Sequence, residues 1–212
     1  RHYRTHTSAS FSNWSVAKKD SWVKKSERVA GFEHRARVLH VDGGREYIPG
    51  WINANTAAGR HDLEFDPARA RVQGLPLAEA SVDGLHLSHV LEGVRDAGAL
   101  LDELYRVARP GARLFVRVAH GARDDAWQDP AQQRAWTEGS FAHFGQPTQA
   151  DGAAYRADWQ LETVRHAVPS QELVVTLRAV KPARPRRGLH PAPQVQARRL
   201  DDERVDPAFA AV

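Results

Sequence analysis

Two parts of this chain carry side chains that could do chemistry. The first is residues 37–56, RVLHVDGGREYIPGWINANT, where a β-rich run enters a turn at Gly43-Gly44. Glycines there let the backbone approach a ligand that any side chain would displace. Asp42 puts a carboxylate at the first position of that turn, and Asn55 stands where nucleotide-holding α/β enzymes commonly have a carboxylate. The second part is Ser88-His89-Val90-Leu91-Glu92, followed by a stretch with His120, Asp124, Asp125, Trp127, Asp129, Trp136 and His143. A histidine titrates near neutrality and can take a proton from a hydroxyl or an amine. Aromatic rings among carboxylates suit a polar, partly flat ligand.

These residues need elements to position them, and the periodicity supplies candidates. RVLHV (37–41), GWINA (50–54) after Pro49-Gly50, VDGLHLSHV (82–90) and RLFVRVAH (113–120) read as strands. Residues 96–109 set Leu100, Leu101, Leu104, Val107 and Ala108 on one helical face, with Pro110-Gly111 as the stop. YRADWQLETVRHAV (155–168) and ELVVTLRAV (172–180) read as a hairpin joined through Pro169-Ser170-Gln171. Strands alternating with helices before a final hairpin predict an α/β, Rossmann-like fold. Its sheet is mostly parallel and flanked by helices, with the antiparallel C-terminal hairpin at the edge. Ligands of such sheets bind at the carboxyl ends of the strands, near the topological switch point.

Composition narrows the classes. At 212 residues and 42% apolar, the chain has room for one domain with appendages. It has no Cys, which excludes disulfides and thiolate chemistry. No apolar run approaches the ~18 residues of a membrane span, and no secretory segment opens the chain, so a cytoplasmic location is expected. The sequence begins at Arg1 and contains no Met, as a fragment or a processed product would. Net charge is +4 but uneven: residues 1–35 hold eight Lys/Arg against three Asp/Glu, residues 181–212 hold seven against four, and 36–180 are net acidic. The expected organisation is a basic N-terminal extension over 1–35, with a loosely helical spacing from Trp14 to Phe32. A domain over 36–180 and a flexible Pro/Arg-rich tail over 181–212 follow. Basic ends on an acidic body provide neither the basic face nor the aromatic platform of a nucleic-acid binder. They leave room for a protein partner at the termini.

From about Val38 to Val180 the chain resembles class I S-adenosylmethionine-dependent methyltransferases, in a bacterial branch (methyltransferase type 11-like) with a truncated first helix. The likeness rests on GGREYIPGWINAN, LPLAEASVDGLHLSHVLEG, LLDELYRVARPGARLFVRVAH and WQDPAQQRAWTEGSFAHFGQP, met in family order. The third is the most specific. The resemblance implies S-adenosylmethionine as cofactor, held by Asp42, Gly43, Gly44, Asn55, Gln73, Leu75 and Ser88. It places His89 close to the transferred methyl and His120 in the segment that covers the acceptor pocket, both as catalytic candidates. Asp42 replaces the family's first glycine and could pair with the cofactor's ammonium. Asn55 replaces the acidic residue that accepts from both ribose hydroxyls. Gln73, Leu75 and Leu77 fall in the loop that walls the adenine. Gly93 stands where relatives carry a second histidine, so no metal site with Glu92 is expected; Ala131-Gln132 stand where relatives carry Thr-His, so a histidine used there in chemistry is missing.

Methyl transfer is an in-line displacement at an activated sulfonium, and proximity and alignment can drive it without a dedicated acid or base. The resemblance therefore implies a methyltransferase acting on an oxygen or nitrogen of a small metabolite or sugar-like acceptor. The alternative is a catalytically degenerate module of the same fold that binds or scaffolds.

Overall fold

The computed structural model describes residues 36–42, 47–56, 60–148, 155–167, 172–186 and 198–200. Arg37–Asp201 form one compact unit; the other, Arg1–Ala36 with Asp202–Val212, lies almost wholly outside the described residues. The predicted N-terminal helix, Gly43-Gly44 and the Pro169-Ser170-Gln171 link lie outside them too.

An eight-stranded sheet runs β1 (Val38–Asp42), β2 (Ile52–Asn55), β3 (Leu63–Glu64), β4 (Val82–Ser88), β5 (Ala108–Ala119), β6 (Trp159–Ala167), β7 (Glu172–Ala179) and β8 (Arg198–Leu200), in the spatial order β3-β2-β1-β4-β5-β7-β6-β8. The first five strands are parallel; β7 is antiparallel to β5 and to β6. The predicted fold class is borne out. Among the described residues the longest helix is α1 (Ala97–Val107), and two short ones, α2 (Asp125–Gln128) and α3 (Glu138–Ala142), follow β5. Asp96 caps α1 by accepting from Ala99 N at 2.9 Å. Leu100, Leu101, Leu104 and Val107 are wholly buried and share one cluster with Leu39, Leu85, Leu87, Leu114 and Val116 of the sheet. Burial of each such side chain stabilises by roughly 2 kcal/mol.

Three local expectations are corrected. Helix α1 ends at Val107, and Pro110-Gly111 lie inside β5; Gly111 takes a positive φ of 80° beside a register shift against β4. A bulge absorbs the proline, so the strand starts earlier than the sequence pattern shows. The run from Tyr155 is strand only from Trp159, because Asp102 takes the backbone N–H groups of Arg156 and Ala157. The third concerns the segment read as a flexible tail. Arg184 is fixed to the fully buried Asp158, Arg186 to Gln146, and Arg198–Leu200 form β8, parallel to β6.

The crossover from β1 to β2 spans residues 43–51, too few for a usual crossover helix. Asn53 fastens its described part. The Asn53 amide donates to the carbonyls of Ile48 and Trp51 at 3.0 Å each, while its oxygen accepts from Ile48 N at 2.8 Å. Asp62 takes Asn53 N at 2.9 Å and Tyr47 OH at 3.1 Å. Buried side-chain bonds thus do the work that a helix's backbone ladder usually does.

Candidate active site

The sheet order reverses between β1 and β4: from β1 the chain moves outward to β2 and β3, then returns to the other side as β4. The crevice outside the carboxyl ends of these strands is where an open α/β sheet binds ligands. Asp42 ends β1 in register with Ser88, which ends β4, and Ser88 pairs in turn with Arg117 of β5. Asn55 ends β2, His89 follows β4, and His120 follows β5. The described backbone therefore brings Asp42, Asn55, Ser88, His89 and His120 to one end of the sheet. Gly43, Gly44 and the side chain of Asp42 lie outside the described residues.

Asn55 is 2% exposed and its Oδ1 accepts from Thr56 N at 2.7 Å. The amide nitrogen remains to donate, which fits one ribose hydroxyl and not the two-oxygen acceptance of a carboxylate. The loop from Gln73 to Leu77 sits against α1. Leu75 N donates to Glu103 Oε1 at 2.6 Å, and Arg106 donates to the carbonyls of Leu75 and Leu77 at 2.9 and 2.8 Å. The Leu75 side chain is 4% exposed and belongs to the core cluster. It backs the loop from inside, while Gln73 is half-buried in the same loop.

His89 changes character. Its Nδ1 lies 3.1 Å from Glu92 Oε1 and its Nε2 lies 3.2 Å from Glu172 Oε1. Both carboxylates are nearly buried, and Arg117 reaches the second oxygen of Glu172 at 2.5 Å. The hydrogen bond to Glu172, then that to Glu92, push the His89 imidazole up to about 9 against the opposing pull of burial. Burial raises the Glu172 carboxyl, but the bond from His89 and the charge of Arg117 outweigh it and hold the group at about 2. At neutral pH His89 is an imidazolium with both nitrogens occupied. The expectation of a general base at this position is corrected in that respect. The sequence pattern offered no sign of Glu172, which arrives from the hairpin.

This ion cluster sets a pH dependence. His89 titrates higher in the folded state than its ordinary 6.5, so its contribution is complete below that value and disappears as pH rises through about 9. The imidazole is half-exposed, so solvent screening reduces the effect to about 1 kcal/mol. Urea denaturation is expected to show stability falling by that amount between about pH 7 and about pH 9.5, with the decline absent in His89→Gln. An equally steep decline in the variant would refute the cluster.

His120 is likewise occupied. Its Nδ1 accepts from Ala122 N at 3.0 Å, its Nε2 lies 3.2 Å from Glu138 Oε2, and its ring stacks on His166 at 4.7 Å. The segment after β5 forms two short helices, α2 and α3. Trp136, Phe141 and Phe144 pack into the domain, with Trp136 and Phe141 stacked at 5.1 Å. Trp127 is the exception: it is 69% exposed, with its indole N–H held by Gly121 O at 2.8 Å. Among the described residues no cluster of three potential ligands could hold a metal ion, and no helix is long and apolar enough to cross a membrane.

Residues 26–116 match the family model described as methyltransferase domain. The match covers under half of the chain and agrees with the resemblance to S-adenosylmethionine-dependent methyltransferases. The chain is 39% identical over 67 residues to the malonyl-[acyl-carrier protein] O-methyltransferase of Yersinia pestis, covering 30% of this chain and 25% of that protein. It is 31% identical over 117 residues to the enzyme of the same name from Serratia marcescens, covering 53% and 40%. The chain thus spans well under two thirds of the length of both relatives. Among solved structures, a methyltransferase from Aquifex aeolicus aligns with TM-score 0.48 at 15% identity, over 78% of this chain and 97% of that one.

Proposed function

We propose that the chain is an S-adenosylmethionine-dependent methyltransferase and that its acceptor is an oxygen, specifically a carboxylate oxygen. The observation that carries the acceptor class is the occupancy of the two histidines: His89 and His120 each have both ring nitrogens engaged. No imidazole lone pair is left there to deprotonate a hydroxyl or an ammonium. A carboxylate needs no base, because it is already an anion at neutral pH. The cofactor supplies a methyl group on an activated sulfonium. The chain's own residues supply seating and alignment, which suffice for such a displacement. Asn55 and the Gln73–Leu77 loop would hold the adenosine part, and Asp42 and Ser88 would lie beside the remainder. The malonyl group named in both curated relatives ends in a carboxylate, which supports the same acceptor class. The degenerate-module alternative draws no comparable support from these comparisons.

Isothermal titration of the full chain with S-adenosylhomocysteine tests the reading, followed by methyl-transfer assays on a malonyl thioester and on an amine acceptor. Micromolar binding and transfer to the carboxylate alone are expected. Asn55→Asp keeps the oxygen that takes Thr56 N and adds a second, charged acceptor. It should tighten binding about five- to tenfold. Absence of heat at millimolar ligand in both forms would overturn the function, and transfer to the amine would overturn the acceptor class.

A further inference from the structure

His89 is one of two described non-glycine residues with a positive φ, at 54°, a region that β-carbon sterics disfavour for L-residues. Its N–H donates to Arg117 O at 2.9 Å, so this strained residue is where the chain leaves β4 and turns into Leu91–Gly93. Something must hold it there. Glu92 is local: its Oε1 takes His89 Nδ1 and also Ala119 N, at 2.9 Å. Glu172 is not local. It opens β7, in register with Ala119, and its carboxylate bridges His89 and Arg117. Side chains of all three supporting residues are largely buried, at 6%, 5% and 22% exposure for Glu92, Glu172 and Arg117.

We propose that Glu172 is a positioning residue for the crevice: by pinning the His89 ring it fixes the turn after β4 in its left-handed form. The antiparallel hairpin thereby helps shape a cofactor site formed by the parallel strands. The groups facing His89 are Glu92 from its own turn and Glu172 from β7, with Arg117 of β5 behind Glu172.

The role separates from chemistry by glycine, which takes a positive φ without strain. If pinning is the task, His89→Gly keeps the turn and binds S-adenosylhomocysteine within about twofold of the wild type. His89→Ala and Glu172→Gln should each bind about tenfold more weakly. Glu172→Gln added to His89→Gly should cost nothing further. A loss in His89→Gly as large as in His89→Ala, or wild-type affinity in Glu172→Gln, overturns the proposal. Its consequence for binding rests on the methyltransferase reading, so a second measurement is independent of ligand. By NMR the His89 imidazole should titrate near 9 in the wild type. In Glu172→Gln it should titrate at least about one pH unit lower, since loss of the neighbouring charge favours the neutral ring. An unshifted titration refutes the pinning even if the chain binds no S-adenosyl ligand, whereas a wild type that is silent in calorimetry but shifted by NMR refutes only the methyltransferase reading.

Discussion

Replacing Asp158 by alanine lowers the melting temperature of the chain by about 8 °C. The carboxylate is fully buried and accepts from four donors: Gln146 N at 2.9 Å, and Arg184 through its backbone N at 2.9 Å, its Nε at 2.8 Å and its terminal nitrogen at 2.7 Å. Truncation strands Gln146 N in the interior and leaves a guanidinium without its counter-ion. An orphaned buried donor and a broken, largely buried pair together cost about 3 kcal/mol, because Arg184, about a third exposed, partly regains water. At roughly 2–4 °C per kcal/mol for a chain of this size, the expected shift follows. Asp158→Asn keeps the shape and one acceptor, and should lose about half as much. The acid limb gives an independent check. Burial raises the Asp158 carboxyl, but the hydrogen bonds from Arg184 and Gln146 and the Arg184 charge hold it below its ordinary 3.8. Its contribution is therefore complete above that value and is lost as pH falls through the lower folded value. Melts followed by circular dichroism should show the wild type losing its advantage over Asp158→Ala in that acid range. A variant melting within about 2 °C of the wild type at neutral pH would mean that Asp158 does not hold the post-β7 segment to the domain.

Asp158 also shows where sequence reading reaches its limit. The strands β1, β4 and β5 and the helix α1 were legible because their signals are local: apolar runs of strand length, and a stripe repeating every three or four residues. Asp158 stood in a run read as strand, and Arg184 in a run read as tail, yet the pair joins them across 26 residues. Composition made 181–212 look flexible, since Pro and Arg have no local use there. Only the buried carboxylate gives the arginine a reason. The same holds for Glu172 and Arg117, 55 residues apart, which meet because β5 and β7 are neighbours. The resemblance placed Asp42, Asn55, Ser88, His89 and His120 by chain order, and the parallel topology brings their positions to one end of the sheet. What order cannot encode is occupancy. Whether an imidazole has a free nitrogen depends on partners from other strands, which is why His89 read as a base and folds as a clamped cation.

Removing the Glu103 carboxylate tests the loop proposed to wall the adenine. The loop Gln73–Leu77 has no secondary structure of its own, and α1 holds it through one ion pair. Glu103 Oε1 takes Leu75 N and an Arg106 terminal nitrogen, at 2.6 and 2.7 Å, while Oε2 takes Arg106 Nε at 2.9 Å. Arg106, so oriented, donates to the carbonyls on both sides of Pro76. Gly74 permits the close approach, since a β-carbon there would lie 3.3 Å from Glu103 Oε1. Glu103→Ala therefore loses the acceptor for Leu75 N and the partner that aims the arginine. Glu103 is largely buried while Arg106 is over a third exposed, so the cost is about 2 kcal/mol and a melting shift of about 6 °C. If the loop walls the adenine, S-adenosylhomocysteine should bind at least about tenfold more weakly, because a freed loop must be ordered again on binding. Glu103→Gln retains an acceptor for Leu75 N and should recover most of the affinity with less of the stability. Unchanged affinity in a destabilised Glu103→Ala would remove the loop from the cofactor site and leave it as a core strap on α1. A melting point unchanged alongside weaker binding would mean that the loop is held from elsewhere and that Glu103 acts on the ligand itself.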